Sequence, residues 1–403
     1  MIFMQTNAFD KKRLGIYIHV PFCKSKCAYC DFNSSVCQSA ERMTAYVDAL
    51  VAHMESYRAA AQNYEPNTVF IGGGTPTALP PEELFRVIKA VKHNFRLTKN
   101  AEFTIEANPA TVSYDTLVKM RRRGVTRLSM GLQSAHENEL QALSRIHTRK
   151  DFAQSFKMAR DAKFDNINVD LMFGIPYQTT DSLLHTIRYL TRVQPDHISL
   201  YDLKIEPGTP FYKNYHEIAP YLPDDDTEAD MYISAIEMLR NAGYYQYEIS
   251  NFARPGHMCA HNLKYWNCDE YLGFGVSAHS YFNGSRFSFT ADVDRYMQGV
   301  TVKDSRVRIT DECDILEERE RMGEYIMLRF RLTAGLDVRE FFHRFGLSFE
   351  TLYSEKCRKF IQNGFMTVKN GVYALTPSGM FISNYILSDL LEFEDFGRIY
   401  FGG

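Results

Sequence analysis

Leu14-Gly-Ile-Tyr-Ile-His-Val-Pro-Phe22, followed at once by Cys23-Lys-Ser-Lys-Cys27-Ala-Tyr-Cys30, is the stretch on which the fold turns. Its first half is apolar and β-branched, which predicts a strand. The thiols then sit on a loop at a strand end. Gaps of three and then two residues let such a loop curl around one small inorganic object. Three thiolates can hold three irons of a four-iron, four-sulfur cluster and leave the fourth iron without a protein ligand. An open metal position is where chemistry happens, whereas a saturated one holds structure. The same spacing also admits a structural zinc site, with Cys37 or His19 as its fourth ligand, because zinc knuckles share Cys-x-x-Cys.

With 403 residues, 45% of them hydrophobic, the chain can bury a large core; an α/β barrel can absorb more than half of it as one domain. The formal charge is −3, from 46 basic and 49 acidic residues, so nothing points to nucleic acid or to an anionic membrane. Met1-Ile-Phe-Met-Gln-Thr-Asn7 lacks a basic start before a long apolar region and does not read as a signal peptide. No apolar run is long enough for an integral membrane segment. Eight cysteines, five of them scattered (Cys37, Cys259, Cys268, Cys313 and Cys357), do not make a disulfide framework and fit a reducing cytoplasm.

Beyond the cysteines, strand and helix patterns alternate. Helical periodicity over Glu41 to about Asn63 precedes a strand, Thr68-Val-Phe-Ile71, that ends in Gly72-Gly-Gly-Thr75. Pro80-Pro81-Glu-Glu opens the next helix. Further strands are expected at Phe103–Ala107, Arg127–Met130, Ile167–Phe173 and His197–Leu203, with helices at Tyr114–Arg123, His136–Arg145, Lys150–Lys163 and Thr180–Arg192. Six strands alternating with helices make a parallel α/β sheet, most simply an incomplete (β/α)6 TIM-like barrel, with a doubly wound sheet as the alternative. Every polar or glycine-rich motif falls at a strand's C-terminal end, where barrel active sites are built.

After about Pro223 the repeat stops. Asp224-Asp-Asp226 reads as a helix cap, not a metal site. Residues 1–300 are expected to form the partial barrel with an extension, and residues 301–403 a winged-helix-like C-terminal domain. That second part carries helices, then a hairpin turning at Lys369-Asn-Gly371. Its presumed recognition helix has no basic stripe, which favours protein interaction over DNA binding.

The CxxxCxxC loop with Tyr29 before its last cysteine closely resembles the signature of the radical S-adenosylmethionine (SAM) superfamily. The resemblance implies a 4Fe-4S cluster on Cys23, Cys27 and Cys30, with S-adenosyl-L-methionine chelating the open iron and an electron donor such as flavodoxin or ferredoxin. It implies that Gly72, Gly73, Gly74 and Thr75 lie near the methionine amino group, where only a residue without Cβ allows close approach. Glu106, Gln133, Arg145 and Asp170 match positions that contact the nucleoside and methionyl parts, and Tyr17 and Tyr29 line the rest. Carboxylates suit ribose hydroxyls, and an Arg fork suits a carboxylate. Taken singly, Arg145 also reads as a helix-surface residue, Asp170 as a cap and Glu106 as a sheet end.

Within the superfamily, Tyr17–Cys23, Gly72–Pro76, Ser129–Gln133, Asp170–Pro176 and Gly273–Ala278 resemble the oxygen-independent coproporphyrinogen III oxidase-like family. Its dehydrogenase branch has a further cysteine where this chain has Phe32, and a long N-terminal arm where about 13 residues precede Leu14 here. The other branch consists of heme chaperones. Cys30-Asp-Phe-Asn-Ser34 is similar to its cluster loop, and His261-Asn262-Leu-Lys-Tyr265-Trp266 to its HNxxYW heme motif. That resemblance implies heme as a ligand and heme-acceptor proteins as partners. Imidazole ligates heme iron, and Tyr and Trp offer flat apolar faces; Cys259 is a second candidate ligand. On the residues alone, the same string reads first as one that packs a loop against the barrel. The alternative activities are oxidative decarboxylation of coproporphyrinogen III and another radical modification of a porphyrin.

Overall fold

The computed structural model describes residues 11–36, 39–109, 111–301 and 308–391. Cys37 and the N-terminal stretch read for a signal peptide lie outside them. Six parallel strands follow one another in space in chain order: β1 (Lys12–Val20), β2 (Tyr64–Gly73), β3 (Glu102–Ala107), β4 (Arg127–Gln133), β5 (Ile167–Phe173) and β6 (His197–Asp202). Helices Ala40–Ser56, Pro81–Asn94, Tyr114–Arg122, Arg149–Asp161 and Thr180–Val193 return the chain between them, as parallel pairing requires. A doubly wound sheet reverses its strand order at a switch point. Here the order never reverses, so the incomplete barrel stands and the doubly wound alternative falls.

The barrel does not close. Beyond β6 come the antiparallel strands β7 (Tyr245–Glu248) and β8 (Asn251–Ala253), with β8 against β6. On the other side β9 (Tyr271–Phe274) lies parallel to β1, followed by the antiparallel β10 (His279–Phe282), β11 (Ser285–Phe289) and β12 (Thr310–Ile315). The result is one open, mixed, 12-stranded sheet.

One set of alternate side chains from these strands packs under the helices. Leu14, Ile16, Ile18 and Val20 are wholly buried in the same core as Tyr46, Val47 and Leu50 of the first helix. The period of two then puts Tyr17, His19, Phe70, Thr104 and Glu106 on the opposite face, inside the partial barrel. Asp224 caps the helix Asp225–Asn241, accepting from Thr227 N–H at 2.9 Å, as the acidic run predicted.

The C-terminal part runs helix (Glu318–Arg329), β13 (Leu336–Asp337), helices (Val338–Phe345 and Phe349–Gln362), then the hairpin β14 (Met366–Lys369) and β15 (Val372–Leu375). Its sheet order is β13-β15-β14. This helix–strand–helix–helix–hairpin sequence is a winged-helix arrangement. Asn370 and Gly371 turn the hairpin at φ of 54° and 78°, which is the geometry Asn-Gly supplies.

Candidate functional site

Cys23 ends a two-residue strand, Phe22–Cys23, that pairs with Ser35–Val36 and closes the cysteine loop at its base. Inside the loop Lys26 Nζ donates to the carbonyls of Phe32 (2.7 Å) and Ser34 (3.1 Å). Ala28 N–H binds the Leu143 carbonyl at 3.2 Å, and the Ala28 carbonyl accepts from Phe211 N–H at 3.0 Å. The loop is therefore held by the chain after β4 and the chain after β6. Cys23 is buried, Cys27 and Cys30 are half-buried, and all three are free thiols. Two of the sulfurs receive hydrogen bonds: Thr75 Oγ1 lies 3.6 Å from Cys23 Sγ, and Arg145 Nη1 lies 3.3 Å from Cys27 Sγ. Donors aimed at sulfur suit thiolates carrying the charge of an iron–sulfur cluster. Among the described residues no three His, Cys, Asp or Glu side chains draw together as one metal ion would require. His19 in particular has both ring nitrogens engaged, by the Tyr17 hydroxyl (3.0 Å) and the Asn33 carbonyl (2.8 Å). A cluster, by contrast, spreads its cysteines over separate irons.

The glycine turn packs directly on this loop. Gly74 N–H binds the Val20 carbonyl and Thr75 N–H the Phe22 carbonyl, both at 2.8 Å. A Cβ on Gly73, whose φ is +105°, would stand 2.5 Å from the His19 ring; one on Gly72 would meet the Glu106 carboxyl at 2.8 Å, and one on Gly74 the Phe22 carbonyl at 2.8 Å. The glycines are thus demanded by protein packing at this strand end. Gly73 N–H donates to Glu106 Oε2 at 3.1 Å. Burial, with Asp170 nearby, pushes the Glu106 carboxyl up to about 8, so it carries a proton at neutral pH until a cation lies beside it.

Asp170 accepts from Asn168 Nδ2 (2.7 Å) and Ser129 Oγ (3.2 Å), and burial raises its pKa. Arg145 sits where its helix stops: Ser144 adopts φ of +58° and Arg145 N–H reaches back to the Leu140 carbonyl at 2.9 Å. This turn aims the guanidinium inward, so Arg145 is not a helix-surface residue. Its Nη2 donates to Asn108 Oδ1 (2.8 Å) and the Gly131 carbonyl (3.1 Å), while its buried Nε has no partner. Gln133 lies at a register shift between β4 and β5, at φ of +67°; a bulge of this kind re-aims a side chain. A Cβ on Gly131 would fall 2.8 Å from Gln133 Nε2 and 3.1 Å from Arg145 Nη2. Tyr29 lies within electrostatic reach of Arg145, Cys27, Cys30 and Asp170, and burial raises its phenol. The structure therefore gathers Tyr17, Tyr29, Gly72–Thr75, Glu106, Gln133, Arg145 and Asp170 beside the cysteine loop.

The His261–Trp266 string is elsewhere. It forms the helix Ala260–Trp266, whose first N–H groups bind Glu102: Ala260 N–H to Oε2 and His261 N–H to Oε1, both at 2.9 Å. Glu102 opens β3, at the end opposite the thiols. His261 Nδ1 meets Thr68 Oγ1 at 2.9 Å. Thr68 is five residues before Gly73, which is about 16 Å along a strand. The helix thus covers the floor of the partial barrel while the cysteines lie at its mouth. His261 is 1% exposed, stacks on Phe70 at 5.5 Å, and has its Nε2 against Tyr265 OH at 2.9 Å. Burial lowers its pKa to about 3, so the ring is neutral and fully partnered. Cys259 is buried and its thiol is pushed up to about 12. Asn262 and Trp266 are half-buried, with the Arg331 guanidinium 5.0 Å from the indole centre and the buried Nε1 unpartnered. Just upstream, Met258 is exposed, and half-buried His257 has a buried Nδ1 without a partner.

Asn108, the first half of the Asn-Pro pair that follows the strand expected over Phe103–Ala107, is the site residue that the sequence does not single out. Its place between Thr75 and Arg145 depends on which loops meet, and no local pattern encodes that.

Residues 17–190 match the Radical SAM superfamily and residues 316–382 the HemN C-terminal domain. The heme chaperone HemW of Bacillus subtilis is 35% identical over 376 residues, spanning 93% of this chain and 98% of that one. The heme chaperone HemW of Escherichia coli is 35% identical over 379 residues, spanning 93% and 97%. Coproporphyrinogen III oxidase (HemN) of Escherichia coli has the same fold, with a TM-score of 0.83 at 23% identity over 94% of this chain and 90% of that one.

Proposed function

Because this chain belongs to the HemW family of the radical SAM superfamily, we propose that it is a heme chaperone that binds a 4Fe-4S cluster, S-adenosyl-L-methionine and heme, and delivers heme to acceptor proteins. The observation that carries the cofactor part is the meeting, at one strand-end mouth, of three free thiols, hydrogen-bond donors aimed at two of their sulfurs, and a carboxylate–guanidinium lining. Cys23, Cys27 and Cys30 would hold the cluster, which when bound supplies an electron and an iron with an open position. The unpartnered Nε of Arg145 suits a carboxylate, and the backbone at Gly72–Thr75 a ligand amine. Glu106, neutral in the free protein, would ionise beside a cationic ligand.

Heme is proposed at the floor, on the His261–Trp266 segment, supported by the HNxxYW string and by Phe32 where the dehydrogenase branch has a cysteine. For His261 to reach iron, its bond to Tyr265 must open; Trp266 and Tyr265 would shield a porphyrin face. Among the described residues no helix is long and apolar enough to cross a membrane. The cytoplasmic location and a donor of flavodoxin or ferredoxin type belong to the same proposal, as does a two-part division, which falls after β12 and not at residue 300 because Thr310–Ile315 pairs in the 12-stranded sheet. The test is heme titration of the reconstituted protein against His261→Ala, His257→Ala and Trp266→Ala, with circular dichroism to confirm folding. Weaker binding or an altered heme spectrum in His261→Ala supports the placement. An effect in His257→Ala alone moves the ligand four residues upstream. No effect in any of the three removes heme from this segment.

A further inference from the structure

Asn108 stands between two of the three sulfurs. Its Nδ2 donates to Thr75 Oγ1 at 2.8 Å, and that oxygen lies 3.6 Å from Cys23 Sγ. Its Oδ1 accepts from Arg145 Nη2 at 2.8 Å, and Arg145 Nη1 lies 3.3 Å from Cys27 Sγ. The orientation of every group follows from chemistry. A guanidinium only donates, so the amide oxygen must face Arg145 and the NH2 must face Thr75. An amide NH2 also only donates, so the Thr75 oxygen accepts from it. The Thr75 hydroxyl proton is then free for Cys23. At both ends of the bridge a proton is presented to sulfur.

Resting on the cluster reading above, we infer that Asn108 is a positioning residue that raises the cluster's reduction potential by holding Thr75 and Arg145 in donor orientation toward Cys23 and Cys27. Hydrogen bonds to ligand sulfur stabilise the more negative, reduced cluster and are among the terms that set its potential. The amide does this without touching the metal. No other side chain of this size supplies a donor on one side and an acceptor on the other. Aspartate is isosteric and offers acceptors on both sides. With it, the Thr75 hydroxyl turns to the carboxylate and abandons Cys23. Leucine keeps the volume, adds no charge and orients neither partner.

The experiment is a potentiometric titration followed by electron paramagnetic resonance, on anaerobically reconstituted full-length protein without S-adenosyl-L-methionine. Wild type is compared with Asn108→Leu, Asn108→Asp and Thr75→Val, each with iron and sulfide measured. At the wild-type midpoint, Asn108→Leu and Asn108→Asp should show a reduced-to-oxidised ratio at least tenfold lower, a shift of about 59 mV for a one-electron couple. Thr75→Val, which loses only the Cys23 arm, should shift less and in the same direction. An unchanged midpoint in Asn108→Leu with full iron and sulfide overturns the inference. Should Asn108→Leu fail to hold a cluster, unchanged midpoints in Asn108→Asp and Thr75→Val overturn it equally. Wild type without iron and sulfide overturns the parent reading, and this one with it.

Discussion

Replacing Gly73 by alanine isolates the packing that joins the glycine turn to the cysteine loop. The new Cβ would lie 2.5 Å from His19 Cε1 and Nδ1, and the residue sits at φ of +105°. His19 cannot step aside freely, since its ring is pinned between the Tyr17 hydroxyl and the Asn33 carbonyl. Moving it gives up two buried hydrogen bonds of about 1 kcal/mol each. Holding alanine at positive φ costs about 1–3 kcal/mol more, for a total of about 3–5 kcal/mol. Gly208 supplies the control: its φ is +90°, and a Cβ there meets nothing within 4 Å. Gly208→Ala should therefore show the backbone cost alone, about 1–3 kcal/mol. Urea midpoints by circular dichroism separate the two, and iron content should fall only in Gly73→Ala, because Asn33 belongs to the cysteine loop. Equal midpoint losses at the two positions would refute the His19 collision.

Cys27→Ser should lose most of the iron and acid-labile sulfide of anaerobically purified protein; one zinc and no sulfide in the wild type would end the cluster reading. His261 adds a pH signature. Burial first, then Lys264 and Arg127, lower its pKa from 6.5 to about 3. Between those values the unfolded chain takes up a proton that the folded chain does not. Stability therefore falls as pH drops through that window, by up to about 1.4 kcal/mol per pH unit from this one group. His261→Gln should flatten the slope of urea midpoint against pH between pH 6 and 4 by about that amount, and an unchanged slope would place the ring in water.

What the sequence disclosed, and what it withheld, follows from how local each signal is. The six parallel strands announce themselves because each is a short apolar run bounded by turn residues, and Ile167–Phe173 has the expected bounds. Strand β9 lies in the segment after Pro223, where the repeat stops and no strand is expected. Yet Tyr271–Phe274 is buried throughout, and its Gly273 lies where a Cβ would strike the His279 carbonyl at 2.2 Å. Its glycine marks close backbone approach, which looks like a turn until the partner strand is known. Strand β12 is exposed along its whole length and so has no alternation to read. The helix expected over His136–Arg145 is only Glu137–Ala142, because the left-handed Ser144 ends it and turns Arg145 inward. The residues gathered beside the cysteine loop were legible because barrel strands deliver their ends to one mouth. The floor location of His261–Trp266 was not, since a motif names its residues and not the end of the barrel they cover. Gly73 was expected to matter for a ligand's approach, and His19 supplies a reason inside the protein.

The most direct test of the central claim is anaerobic incubation of the reconstituted wild type with heme and, separately, with coproporphyrinogen III plus S-adenosyl-L-methionine and a reductant. Heme uptake should approach one per chain, and coproporphyrinogen III should be recovered with its propionates intact. Efficient release of carbon dioxide from coproporphyrinogen III, with no saturable heme binding, would contradict the account.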